Sequence, residues 1–156
     1  MDTLILGIGN LILRDDGVGI KIAQKLKEEN PELDVTETSE VGITLLDLVV
    51  GYDRLIIIDS VQTGKGKPGE LYQLKLEQLK PGMGFASSHG IDIPTAFELG
   101  HRLGYRMPGY IRIYAVEIEH NTTFGEECTP EIEERIPFIV REIASREKLG
   151  TPVKPR

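Results

Sequence analysis

The sequence predicts an α/β protein: a three-layer sandwich in which a twisted, mostly parallel mixed sheet of about five strands lies between helices on both faces. Three observations lead there. Strand-like and helix-like segments alternate as β-α-β-α-β-β-α-β-α. Leu55-Ile56-Ile57-Ile58 is the most apolar run and β-branched, as a central strand covered on both faces must be. Leu4 to Ile8 is a second apolar run, and it stops at a Gly-rich turn, Gly7-Ile8-Gly9-Asn10.

The elements follow in order. Beyond the Gly-rich turn, Asp15 or Asp16 is placed to cap a helix. Ile20, Ala23 and Leu26 form its apolar stripe, and Asn30-Pro31 ends it. Asp34 to Thr38 reads as a second strand and Ile43 to Val50 as a short helix broken by Gly51. The central strand runs into Asp59. Leu71 to Leu76 partly alternates, as a strand with one wetter face does at a sheet edge. The step from the central strand to this one breaks the alternation, which makes the edge strand antiparallel. Ile93 to Leu103 reads as a helix with Pro94 in its first turn. Tyr110 to Val116 is the last strand. Thr129-Pro130 starts the final helix, with Thr129 as its cap, and Ile132, Ile136, Ile139 and Ile143 line one face. Pro137 within that stripe is expected to kink or split the helix. One domain is read over 1–147 and a loose tail over 148–156.

A chain of 156 residues, 40% apolar, suffices for a single buried core. The net charge of −7 and the lack of a dense basic block exclude a nucleic-acid partner. No apolar stretch nears the roughly 20 residues that span a membrane. Cys128 is the only cysteine, so no intrachain disulfide forms, and a lone thiol without a signal peptide points to the cytoplasm.

In an open parallel sheet, ligands gather beyond the carboxyl ends of the strands. Asp15 and Asp16 follow the first strand and Asp59 ends the third. The loop carrying His89 leads into a helix and returns to the same edge. Two carboxylates and an imidazole there suit a borderline divalent metal. Each has a plainer reading: an Asp at a strand end also forms turns or caps helices, and a loop His is often solvated.

Gly7-Ile8-Gly9-Asn10-Leu11-Ile12 begins like a dinucleotide fingerprint, but Ile12 stands where the third glycine belongs. Asp15 and Asp16 would also face the pyrophosphate. At about 4–6 Å and an effective dielectric near 20, each contact would cost about 3–4 kcal/mol. That corner suits a cation. Serine chemistry is disfavoured for Ser60, Ser87 and Ser88, because no nucleophile elbow is present and Asp59 and Ser60 alternate to opposite faces. Glu126 and Glu127 are expected to raise the Cys128 pKa, which leaves it a loop or helix-start residue rather than a nucleophile or soft metal ligand. His101 and His120 read as surface residues, with a place on the active edge as the alternative for His120. Glu117 and Glu119, ending the last strand, read as groups that orient metal ligands or are solvated.

Together these segments resemble the hydrogenase maturation protease family. The resemblance rests on Gly7-Ile8-Gly9-Asn10 followed after four residues by Asp15-Asp16-Gly17-Val18-Gly19. It rests also on the apolar strand ending in Asp59-Ser60 with Lys67-Pro68-Gly69 beyond, and on Ser87-Ser88-His89 before a helix. Glu117-Ile118-Glu119, Phe124-Gly125 and Thr129-Pro130 complete it. Ser60 stands where the family frequently has Ala, a departure expected to touch no proposed ligand.

The resemblance implies an endopeptidase that trims the C-terminus of the large-subunit precursor of a nickel-iron hydrogenase. It implies that Asp16, Asp59 and His89 bind nickel, supplied by the substrate, and serve as the catalytic set. A transient encounter with a protein substrate suggests a monomer. The competing readings are a nickel-binding chaperone or sensor on the same ligands, disfavoured by the absence of His-rich or Cys-rich tracts, and a nucleotide-binding domain.

Overall fold

The apolar runs become one sheet. Its strands are β1 (Thr3–Ile8), β2 (Asp34–Thr38), β3 (Arg54–Val61), β4 (Leu71–Leu74) and β5 (Tyr110–Glu117), in the order β2-β1-β3-β5-β4. β1, β2, β3 and β5 are parallel, and β4 pairs antiparallel with β5 at the edge, as expected. The computed structural model describes residues 2–11, 13–39, 42–80, 83, 85, 93–119 and 124–150.

Among the described residues four helices cover the sheet: α1 (Val18–Glu29), α2 (Ile43–Val49), α3 (Ile93–Arg102) and α4 (Pro130–Glu147). Strand alternation divides β3 between two cores. Ile56 and Ile58 pack with Ile22 of α1 and Ile139 of α4, whereas Leu55 and Ile57 pack with Leu45 of α2 and Phe97 of α3. All four β3 residues are 0% exposed, each stabilising the fold by about 1.5–3 kcal/mol relative to exposure. This double coverage explains why the run is continuously apolar.

The connections from β1 and β3 leave toward opposite faces: α1 lies on one, and the chain after β3 leads to α3 on the other. The crevice between the carboxyl ends of β1 and β3 is therefore a topological switch point, where such sheets bind ligands. α1 sits unusually low over it. A Cβ on Gly19 would lie 2.4 Å from the Ile58 carbonyl oxygen and 2.8 Å from that of Ile8. Facing it, a Cβ on Gly7 would lie 2.9 Å from the Gly19 oxygen. Glycine is needed here for close approach.

The opposite end is closed by Glu147, which is 4% exposed. It accepts from Tyr110 Oη at 2.9 Å and Arg54 Nη2 at 3.0 Å, and from Tyr114 Oη. This ties the end of α4 to the first residues of β3 and β5.

Several local expectations change. α4 is one continuous helix through Pro137, so the helix is not split there. Pro137 lies on its exposed face, where water can satisfy the carbonyl that loses its helical donor. Beyond the end of α4, Leu149 is buried against the α1/α4 core. β4 ends at Leu74, and Leu76–Gln78 forms a 3-10 turn. No described helix is long and apolar enough to cross a membrane.

Candidate active site at the ends of β1 and β3

Gly9 ends β1 with a turn so tight that a Cβ there would lie 2.2 Å from the backbone oxygen of Asp16. The chain doubles back through a 3-10 turn, Arg14–Gly17, before α1 begins. This fold-back places Asp15 and Asp16, 3% and 6% exposed, beside the carboxyl edge of the sheet.

Neither aspartate caps α1 as the sequence suggested. Gly17 holds the cap position without a side-chain hydrogen bond. Asp15 instead reaches the start of α4, accepting from Thr129 N–H at 2.7 Å and from the Thr129 hydroxyl at 2.9 Å. Thr129 is thus the cap residue by position, but its hydroxyl is spent on Asp15 rather than on its own helix.

Asp16 Oδ2 accepts the Asn10 N–H at 2.9 Å, and Oδ1 accepts the Ser60 hydroxyl at 3.3 Å. Both donors are neutral. Among the described residues no basic side chain pairs with this buried carboxylate. The Asn10 amide, which a dinucleotide-binding turn would point at phosphate, is occupied by Asp16 itself.

Asp59 is 1% exposed and its Oδ1 accepts the Ser60 N–H at 2.8 Å. It shares register parity with Leu55 and Ile57, on the side of α2 and α3. Ser60 takes the other side and reaches Asp16. The expectation that Ser60 touches no proposed ligand is corrected: strand alternation separates Ser60 from Asp59 and for that reason directs it to Asp16. Asp16 and Asp59 therefore stand at the same edge, as expected. His89, like His120, lies outside the described residues. Among those described, no three His, Cys, Asp or Glu side chains form a metal cage.

Cys128 is buried, and its thiol is pushed up to about 12 by burial first and then by the charge of Asp15. The direction matches expectation, but Asp15 replaces Glu126 and Glu127 as the charged cause. His101 is exposed, as read.

Of the two readings given for Glu117, the solvated one is corrected. Glu117 is 2% exposed and organises the β3–β4 connection. Oε2 accepts the Thr63 N–H at 2.9 Å, and Oε1 accepts Tyr72 Oη at 2.8 Å and the Thr63 hydroxyl. Gly66 packs over this cluster, where a Cβ would meet Tyr72 Oη at 2.1 Å. The connection walls a cavity of about 660 Å³ at the ends of β3 and β5, lined by Gln62, Thr63, Lys67, Glu117, Ile118 and Glu119 among others. The sequence signals were a glutamate at a strand end and its place in the Glu117-Ile118-Glu119 segment of the resemblance.

Burial pushes the Glu117 carboxyl up, but the Thr63 and Tyr72 donors and the backbone of Thr63 and Gly64 outweigh it, so its pKa lies below the ordinary 4.5. A depressed carboxylate contributes stability that is complete above its unfolded value and lost as pH falls through the folded one. The wall is therefore expected to hold above 4.5 and loosen below it. Hydrogen exchange at the Thr63 amide, corrected for its intrinsic rate, should lose protection only in the acid range. Protection unchanged down to about pH 2 would refute this.

Comparison with known proteins agrees with this architecture. Residues 20–146 match the family model described as hydrogenase maturation protease. The chain is 30% identical over 82 residues to the hydrogenase 2 maturation protease of Escherichia coli strain K12, covering 51% of this chain and 50% of that protein. The chain thus spans half the length of this curated relative. Among solved structures, the NiFe hydrogenase maturation protease HybD from Thermococcus kodakarensis superposes with a TM-score of 0.72 at 27% identity, covering 94% of this chain and 99% of that one. The hydrogenase maturating endopeptidase HybD from E. coli superposes with a TM-score of 0.74 at 22% identity, over 95% and 93% of the two chains, and shares the fold.

Proposed function

The chain belongs to the hydrogenase maturation protease family, and we propose that it removes a C-terminal peptide from the nickel-loaded large-subunit precursor of a nickel-iron hydrogenase. The observation that carries this reading is the pair of buried carboxylates, Asp16 and Asp59, at the switch point between β1 and β3. Among the described residues, the donors to Asp16 are neutral. A buried carboxylate without a basic partner is costly unless a cation compensates it, and oxygen donors leave positions open for a metal's other ligands.

In this reading the metal is part of the substrate. Asp16, Asp59 and His89 clasp the precursor's nickel, and the cavity beside Glu117 takes the adjoining peptide. Fixing the nickel fixes the scissile bond relative to the cleft, converting an encounter into an oriented reaction. Nickel held by these residues would supply Lewis acidity to the scissile carbonyl or the attacking water, and hydrolysis would split the C–N bond to a carboxylate and an amine. The same reading has the protein act as a monomer in the cytoplasm.

The test is a processing assay with nickel-loaded and nickel-free precursor, read by product mass. Loss of a C-terminal peptide from the loaded form alone is expected. A competent, loaded cognate precursor left intact would replace this reading with that of a nickel-binding chaperone or sensor.

A further inference from the structure

We propose that Ser60 is a positioning residue that couples the two carboxylates of the site; this rests on the reading of Asp16 and Asp59 as ligands to the substrate's metal. Ser60 is 1% exposed, too buried to meet a peptide directly. Its N–H donates to Asp59 Oδ1 at 2.8 Å and its hydroxyl donates to Asp16 Oδ1 at 3.3 Å. One residue thus contacts both acids, from opposite sides of the sheet edge.

The chemistry follows from which oxygens are taken. Asn10 N–H holds Asp16 Oδ2 at 2.9 Å and Ser60 reaches Oδ1 at 3.3 Å, so both oxygens are engaged and the plane of the carboxylate is oriented. Metal binding is sensitive to such orientation, because a ligand's outer hydrogen bonds set its direction and basicity. The Ser60 contact is longer than the roughly 2.7–2.8 Å usual between a hydroxyl and an oxygen. It steers Asp16 without clamping it, leaving the carboxylate room to close on a cation. An alanine would leave Asp16 Oδ1 without this donor while its backbone N–H still reached Asp59 Oδ1, so the link between the two acids would be cut on the Asp16 side alone.

A merely structural Ser60 would affect stability; a positioning one affects turnover and the order around Asp16. Ser60→Ala and Ser60→Thr are to be compared with the unmodified protein by three readouts: amide hydrogen exchange at Asn10, kcat and KM for the nickel-loaded precursor, and thermal midpoint. For Ser60→Ala, Asn10 exchange is expected to quicken about 10-fold and kcat to fall about 10-fold, the lower end for an outer-sphere contact. KM and midpoint should barely move. Ser60→Thr keeps the hydroxyl and should restore both. Unchanged Asn10 exchange, unchanged kcat, or a loss that follows the midpoint and is not rescued by threonine would overturn the inference. If the unmodified protein fails to process precursor, the functional reading fails, and Asn10 exchange alone then decides whether Ser60 orders Asp16.

Discussion

Asp16→Asn is expected to lower the rate of precursor processing at least 100-fold, roughly the upper limit for losing a mere supporting contact, with the fold intact. The substitution is nearly isosteric. The amide oxygen can still accept the Asn10 N–H that Oδ2 accepts at 2.9 Å, and the amide nitrogen can donate to Ser60 Oγ, 3.3 Å from Oδ1. What disappears is the charge. A neutral amide is a far weaker partner for a divalent ion than a carboxylate, whereas the apo protein is relieved of a buried charge that no described basic residue compensates. The thermal midpoint should therefore hold or rise while processing collapses. Rates from product mass and a melting curve on the same sample check both halves. A variant that trims the loaded precursor at near the original rate would remove Asp16 from the reaction. A variant that loses rate and midpoint together would make it a structural residue.

Gly19→Ala is expected to have the largest effect on stability. The new methyl would lie 2.4 Å from the Ile58 oxygen and 2.8 Å from the Ile8 oxygen. Both are backbone atoms of strands in the middle of the sheet, so no rotamer change relieves the contact. The helix must lift from β1 and β3. Overpacking costs about 1–3 kcal/mol where side chains can adjust, so at least about 3 kcal/mol is expected here. For a domain of this size that lowers the thermal midpoint by roughly 6–12 °C. Lifting α1 also moves the turn that precedes it, so the folded fraction should process precursor more slowly too. Gly109→Ala is the control: nothing lies within 4 Å of its added Cβ, and its effect should stay within about 0.5 kcal/mol. Equal midpoints for the two variants would refute the close-packing account.

What the sequence determined by itself is the set of elements and the edge where they meet. Runs such as Leu4 to Ile8 and Leu55 to Ile58 carry their strand character in local composition, and the order of alternation dictates a mostly parallel sheet. The carboxyl-end rule then brings Asp16 and Asp59 to one edge, since each follows or ends a strand. All of this depends on near neighbours and on period, which a linear chain displays. Only the tertiary structure decided how polar side chains are spent. Asp15 reads as a cap for the helix three residues on, yet it binds Thr129, 114 residues away. Glu117 reads as a surface or supporting acid, yet it is buried beneath a connection that it organises. Ser60 reads as touching no proposed ligand, yet its hydroxyl meets Asp16, 44 residues earlier. The reason is physical: apolar burial is repeated along the chain and leaves a pattern, whereas a hydrogen bond needs only one donor and one acceptor brought within about 3 Å, and that meeting exists only once the layers have packed.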